Sequence, residues 1–210
     1  MQFLCVTIVS TLFLVCTSFY HVSAGPLCDA LAQNHWSIKA IEYHLDVKGG
    51  NIEETDHLGN RPLHIAIENL RFKIVEYLLK KGANVDAQNN EGDTPLHTAV
   101  RLHSYKLVDF LLRAGASMSL QNNLGKSALY LATKRTDYKI IDLLIDTGAD
   151  PDVQDLDGNT PRARMEKRLQ KKVIWWLRRI TTPQEQRDAL DNELFRRWDA
   201  LWRNKEWRQF

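Results

Sequence analysis

Gly59, Gly92, Gly125 and Gly158 recur with a period of 33, and Gly82, Gly115 and Gly148 keep the same beat. No single helix or strand imposes so long a period, so the chain reads as a row of similar units. A unit of that size cannot bury its apolar face alone, and each neighbour covers part of it. Such a stack is expected to offer a long concave binding surface and no catalytic pocket of its own.

The clearest unit spans residues 89–121. It opens on Glu91-Gly92-Asp93, a turn in which glycine supplies the positive φ. Thr94-Pro95-Leu96-His97 follows. Thr serves as N-cap, Pro takes the first helical position where its missing N–H costs nothing, and Leu is the first core residue. Leu96, Ala99 and Val100, then Leu107, Val108, Leu111 and Leu112, recur at the spacing of two short buried helix faces. Gly115 ends the second helix in a left-handed conformation.

Residues 56–88 repeat this in register with Arg61-Pro62-Leu63-His64, Ile74-Val75, Leu78-Leu79 and Gly82-Ala83. Residues 122–154 do so with Leu129, Ala132, Ile140-Ile141, Leu143-Leu144-Ile145 and Gly148-Ala149. That third full unit begins Ser127-Ala128-Leu129-Tyr130, which is expected to weaken its cap but not its core. Turn, Thr-Pro-Leu-His, two helices and Gly-Ala together resemble the ankyrin repeat, from roughly residue 27 to residue 180. The resemblance implies an all-α solenoid of antiparallel helix pairs with β-finger turns.

Both ends are atypical, as units with one face in water should be. Ile41, Leu45 and Gly49 sit one period before Ile74, Leu78 and Gly82, so a first unit exists without its finger or Thr-Pro-Leu-His. Gly158, Thr160 and Pro161 open a degenerate last one, in which Arg162 replaces the core leucine and Val173, Ile174, Trp176 and Leu177 supply the second helix. The reading is about five repeats in all over residues 25–180.

Residues 1–24 carry no Asp, Glu, Lys or Arg, and Phe3 to Tyr20 is almost continuously apolar. Val22-Ser23-Ala24 offers the small residues a signal peptidase needs, so residues 1–24 read as a secretory leader, an uncleaved anchor being the alternative. Cys5 and Cys16 fall inside it, leaving Cys28 as the mature chain's one thiol, read as spare and near a flexible terminus. Without disulfide staples the protein also suits a reducing compartment.

The net charge of +2 hides an asymmetry: residues 161–210 hold 14 Lys/Arg against 7 Asp/Glu, and the rest of the chain 14 against 19. No nucleic-acid-binding motif accompanies the basic end, so nucleic acid is not expected as a partner. Thr181-Thr182-Pro183 starts a helix whose Leu190, Leu194, Trp198 and Leu201 share one side, an amphipathic segment over 181–210. Two roles stand open for it: packing on the last repeat, or binding a partner or a membrane through its Trp and Arg residues.

No chemistry is legible. His64 and His97 occupy matching repeat positions and read as structural, and His35, His44, His57 and His103 have no metal-ligand spacing. No catalytic residue, metal site or cofactor is expected, and the protein reads as no enzyme. Its expected function is that of a secreted protein-binding module.

Mapped through the resemblance, the concave surface comprises Leu58, Asn60, Glu68 and Asn69, then Glu91, Asp93, Arg101 and Leu102, then Leu124, Lys126, Lys134 and Arg135. His57, Asn90 and Asn123 share those finger tips, and Leu156, Asp157 and Asn159 form the last one. Two alternatives are a delivered effector that enters a target-cell cytosol, resembling ankyrin-only inhibitors of Rel-type transcription factors, and a membrane-active, toxin-like component using the Trp/Arg tail. If the leader reading holds, N-terminal sequencing of secreted material starts at Gly25; recovery of the intact chain in membranes would instead show an anchor.

Overall fold

The computed structural model describes residues 26–32, 37–47, 49–135 and 137–168. The expected leader (1–24), the expected second helix of the last repeat and the expected amphipathic segment (181–210) lie outside these residues. The described chain is helical: α1 (Pro26–Ala32), α2 (Ile38–Glu42) running on as a π-helical turn Tyr43–Val47, α3 (Pro62–Glu68), α4 (Phe72–Lys80), α5 (Pro95–Arg101), α6 (Tyr105–Arg113), α7 (Ala128–Arg135), α8 (Tyr138–Asp146) and α9 (residues 161–168). It divides into two compact units, Met1–Thr98 and Ala99–Phe210.

In the first unit α3 packs on α1 and on α4. Leu27, Ile41, Leu63, Ile67, Val75 and Leu78 are fully or almost fully buried there. In the second, α8 packs on α7 and on α6, around Leu107, Val108, Leu111, Leu129, Ile140, Ile141 and Leu144. The longer helices share one stripe: Ile74, Val75 and Leu78; Leu107, Val108 and Leu111; Ile140, Ile141 and Leu144. Each of these side chains contributes roughly 1.5–3 kcal/mol by leaving water. Leu79, Leu112 and Ile145, one position further, are only half-buried.

The helix ends follow two rules. After each longer helix a left-handed glycine lets the next N–H turn back: Ala83 donates to the Leu78 carbonyl, Ala116 to Leu111 and Ala149 to Leu144. After α3 and α5 the same geometry recurs without glycine. Leu70 (φ +53°) and His103 (φ +56°) are left-handed, while Arg71 N–H reaches the Ala66 carbonyl and Ser104 N–H that of Ala99. A side chain in this region costs about 1 kcal/mol.

Ser127 caps α7 through its buried hydroxyl, which accepts the Tyr130 N–H at 3.3 Å. One expectation needs correction. Cys28 is no spare surface thiol. It is buried, its N–H donates to Glu54 Oε1 at 2.7 Å, and its Sγ faces the carbonyls of Glu54 and Asn60. Burial first, then the Glu54, Asp56 and Asp29 charges, push this thiol far above its ordinary range, so it is inert as a nucleophile.

Arg162, at the core-leucine position of the last repeat, turns to a bidentate pair with Asp152, at 2.6 and 2.8 Å. Met165, further along that helix, is buried.

Two glycines of the second unit separate backbone strain from crowding. A Cβ on Gly115 (φ +90°) would meet open space, whereas one on Gly125 (φ +70°) would stand 2.6 Å from the Leu156 nitrogen. Gly115→Ala is expected to cost roughly 1 kcal/mol and Gly125→Ala roughly twice that or more, read as urea-unfolding midpoints. Equal losses would mean that the turns at 125 and 156 do not touch.

Candidate functional site

The exposed fingers are built by one kind of side chain, that of Asp or Asn. Asp56, Asn89, Asn122 and Asp155 recur once per period at the root of each turn. In each, one side-chain oxygen accepts two backbone N–H groups: from Leu58 and Asn60 (both 2.8 Å), Glu91 and Asp93 (3.0 and 2.9 Å), Leu124 and Lys126 (both 3.0 Å), and Asp157 and Asn159 (3.0 and 2.8 Å). The turn is closed by the N–H of Gly59, Gly92, Gly125 or Gly158 on the carbonyl of that same root residue. With the backbone satisfied from inside, the tip side chains point outward.

Neighbouring tips are tied by backbone. In the first unit Asn90 N–H donates to the Leu58 carbonyl at 3.0 Å, and Asn90 Nδ2 to the His57 carbonyl at 3.2 Å. In the second, Leu156 N–H donates to the Leu124 carbonyl at 3.3 Å. Leu58, Leu124 and Leu156 are 54%, 56% and 75% exposed, while core leucines are near zero. Gln121↔Ser127 is the one isolated antiparallel bridge among the described residues.

Of the residues expected on the surface, Leu58, Glu68, Glu91, Leu102, Leu124 and Lys134 are exposed. Asn60 and Asp93 are not. Asn60 is buried, donating to Asp56 Oδ2 and accepting from Asn89 Nδ2 at 2.8 Å. Asp93 is buried beneath the tip, and its carbonyl receives His64 Nε2. Both occupy the place after the glycine, where the chain has already turned inward.

Asn69 is half-buried and spends its amide on the Leu31 carbonyl, at 3.2 Å. Arg101 and Lys126 are half-buried, the ammonium of Lys126 lying 5.9 Å from the Tyr130 ring centroid. Arg135 is the last residue of α7.

The repeat histidines fasten the helix starts. His64 Nδ1 accepts the Arg61 N–H at 3.2 Å, so the ring proton sits on Nε2 and is donated to the Asp93 carbonyl at 3.1 Å. Nδ1 of His97 faces the Thr94 N–H and hydroxyl, at 3.2 and 2.8 Å. Tyr130 takes the histidine's place in the next repeat. Its hydroxyl receives Arg164 Nη1 at 3.0 Å, the Arg164 guanidinium lies 5.1 Å from the ring centroid, and burial together with a hydrogen bond to Asp155 raises the phenol above its ordinary range.

The four Asx roots are positions that the residue-by-residue reading missed, although their spacing is as regular as that of the glycines. The same spacing carries Lys134 and Arg135 on to Lys167 and Arg168. Among the described residues no group of three or more His, Cys, Asp or Glu is placed to hold a metal ion, and no helix is long and apolar enough to cross a membrane.

The family model for ankyrin repeats (3 copies) matches residues 27–122 and again 88–155, more than half of the chain. This chain belongs to the ankyrin-repeat family. Ankyrin repeats are protein–protein interaction modules, and the family is typically non-enzymatic. The match accounts for the central repeats with both helices, Gly-Ala stops and fingers, and it gives the fold class as all-α. No curated protein matches the chain.

Burial drives His64 down from an ordinary 6.5 to about 4, with the Arg61 charge adding to it and the Asp93 carbonyl only partly opposing it. The unfolded chain therefore takes up this proton near pH 6.5 and the folded one only near pH 4. The stability due to neutral His64 is complete above pH 6.5 and falls as pH drops toward 4, by about 3 kcal/mol in all. His64→Gln is expected to be less stable at pH 7 and to lose stability less steeply between pH 6.5 and 4. A parallel pH profile in the variant would assign the slope to other groups.

Proposed function

We propose that this ankyrin-repeat protein is a secreted, non-catalytic binder that holds a protein partner on its finger tips and on the C-terminal ends of its inner helices. The observation that carries this reading is the adjacent pair Leu124 and Leu156, 56% and 75% exposed on turns joined by a backbone hydrogen bond. Two leucines kept in water on a rigid frame raise the free energy of the unbound protein and lower it when a partner covers them. Leu58 repeats the arrangement in the first unit. Secretion rests on the uncharged apolar segment 1–24 and the small residues that end it.

The test is a double change, Leu124→Ser with Leu156→Ser, in the mature chain. A partner is first isolated on the immobilised wild-type protein and its affinity is then remeasured with the variant. Binding is expected to weaken by about tenfold or more with an unchanged melting temperature, because both leucines lie outside the core. Retained binding in that variant, with loss on Lys106→Glu and Lys139→Glu, would move the site to α6 and α8.

A further inference from the structure

Cations recur once per period on the inner helices of the second unit. Arg101 closes α5, Lys134 and Arg135 close α7, and Lys167 and Arg168 stand one period later on α9. The corresponding residues of the first unit are Glu68 and Asn69, so this is a property of the second unit and not of the repeat.

Arg168 shows how two of these steps are held together. Its Nη1 donates to the Thr133 carbonyl at 3.1 Å and its Nη2 to the Lys134 carbonyl at 3.0 Å, so the guanidinium caps the C-terminal end of α7. The bonds go to backbone carbonyls and not to a carboxylate, so the cap offsets the partial negative charge of the helix end and leaves this edge net positive. It also brings the Lys134 and Lys167 positions onto neighbouring helices, and both lysines are exposed.

Among the described residues carboxylates are scarce on this edge. α7 contains none, and α9 contains one, Glu166. Asp137, at the start of α8, is engaged by His103 Nδ1 at 3.1 Å and by the Ile140 N–H. Leu102, 36% exposed, adds an apolar contact beside Arg101.

We propose that this edge is a docking ledge for an acidic, extended segment of a protein partner. Packed helices stand about 8–10 Å apart, so successive cations are offered at that interval. A segment in the polyproline II conformation advances about 3.1 Å per residue with three residues per turn, so every third side chain faces the same way at about 9.3 Å. The segment that fits carries Asp or Glu at every third position over two or three steps. This deepens the reading of the protein as a partner binder by naming the partner's chemistry, and it rests on that reading.

The experiment uses the full mature chain and two labelled nonapeptides of one composition. One has Glu at every third position with a leucine at one end, and the other has the three Glu contiguous. The first is expected to bind several-fold more tightly, to weaken as NaCl rises from about 50 to about 500 mM, and to lose roughly tenfold in affinity on Lys134→Gln with Lys167→Gln. Lys106→Gln with Lys139→Gln, on the outer helices, removes the same charge and is expected to change affinity less than twofold.

Equal binding of the two peptides, or equal losses from the two variants, would reduce the ledge to non-specific charge attraction. Tighter binding to phosphatidylserine vesicles or to a single-stranded oligonucleotide than to the first peptide would overturn the assignment to a protein segment. A Lys134/Lys167 variant that keeps the partner isolated on the wild-type chain, while the Leu124/Leu156 variant loses it, would sink the ledge and leave the finger-tip site standing.

Discussion

One side-chain oxygen at the root of each finger accepts two backbone N–H groups, and the shape of the exposed surface depends on it. Asp56, Asn89, Asn122 and Asp155 all do this within 2.8–3.0 Å. A tight turn leaves backbone donors that no helix or strand can use, and each hydrogen bond that satisfies one is worth about 1 kcal/mol net. Because the short Asx side chain meets this need, the tip residues are released from it. Leucine, histidine, asparagine and glutamate can all stand there without altering the turn.

The second fastening is the group at the fourth position of each inner-helix start. In the first unit it is His64, which joins the N–H before its helix to the carbonyl beneath the next finger. At the matching place Tyr130 is too long to reach back in that way. Ser127 caps with its own hydroxyl, as Thr94 does, and the phenol reaches forward to Arg164. A unit without Thr-Pro-Leu-His thus keeps a hydroxyl cap at its helix start and a side-chain link onward. The acid-range pH sensitivity that accompanies a buried imidazole is absent here, because a phenol with a raised pKa stays neutral throughout that range.

Much of this was legible from residue types. The glycine beat and the Thr-Pro-Leu-His motif gave the helix pairs, and the paired aliphatic residues gave the buried stripe of α4, α6 and α8. What was not legible depended on which atoms a polar residue uses. Asn60 and Asp93 look like surface residues by type, yet they sit one step past the glycine, where the backbone has turned inward and neighbours claim their polar groups. Leu70 and His103 give no sign of a left-handed backbone, because that conformation is imposed by the bonds Arg71→Ala66 and Ser104→Ala99 around them. Cys28 looked spare because its burial, by α3 and the first finger, depends on residues far along the chain such as Glu54 and Asn60.

The way neighbouring tips are joined bears on how such a protein can change over generations. Root residue, glycine and closing bond all lie within one short stretch of chain, and the link to the next tip runs through a main-chain N–H and a main-chain carbonyl, to which the first unit adds the side-chain amides of Asn89 and Asn90. A duplicated block therefore arrives with its turn complete, and its main-chain junction is independent of the neighbour's side chains. Tip residues can be exchanged one at a time, with no second substitution required to preserve the frame. Recognition can drift toward a new partner through single-codon changes while the scaffold's stability stays nearly constant.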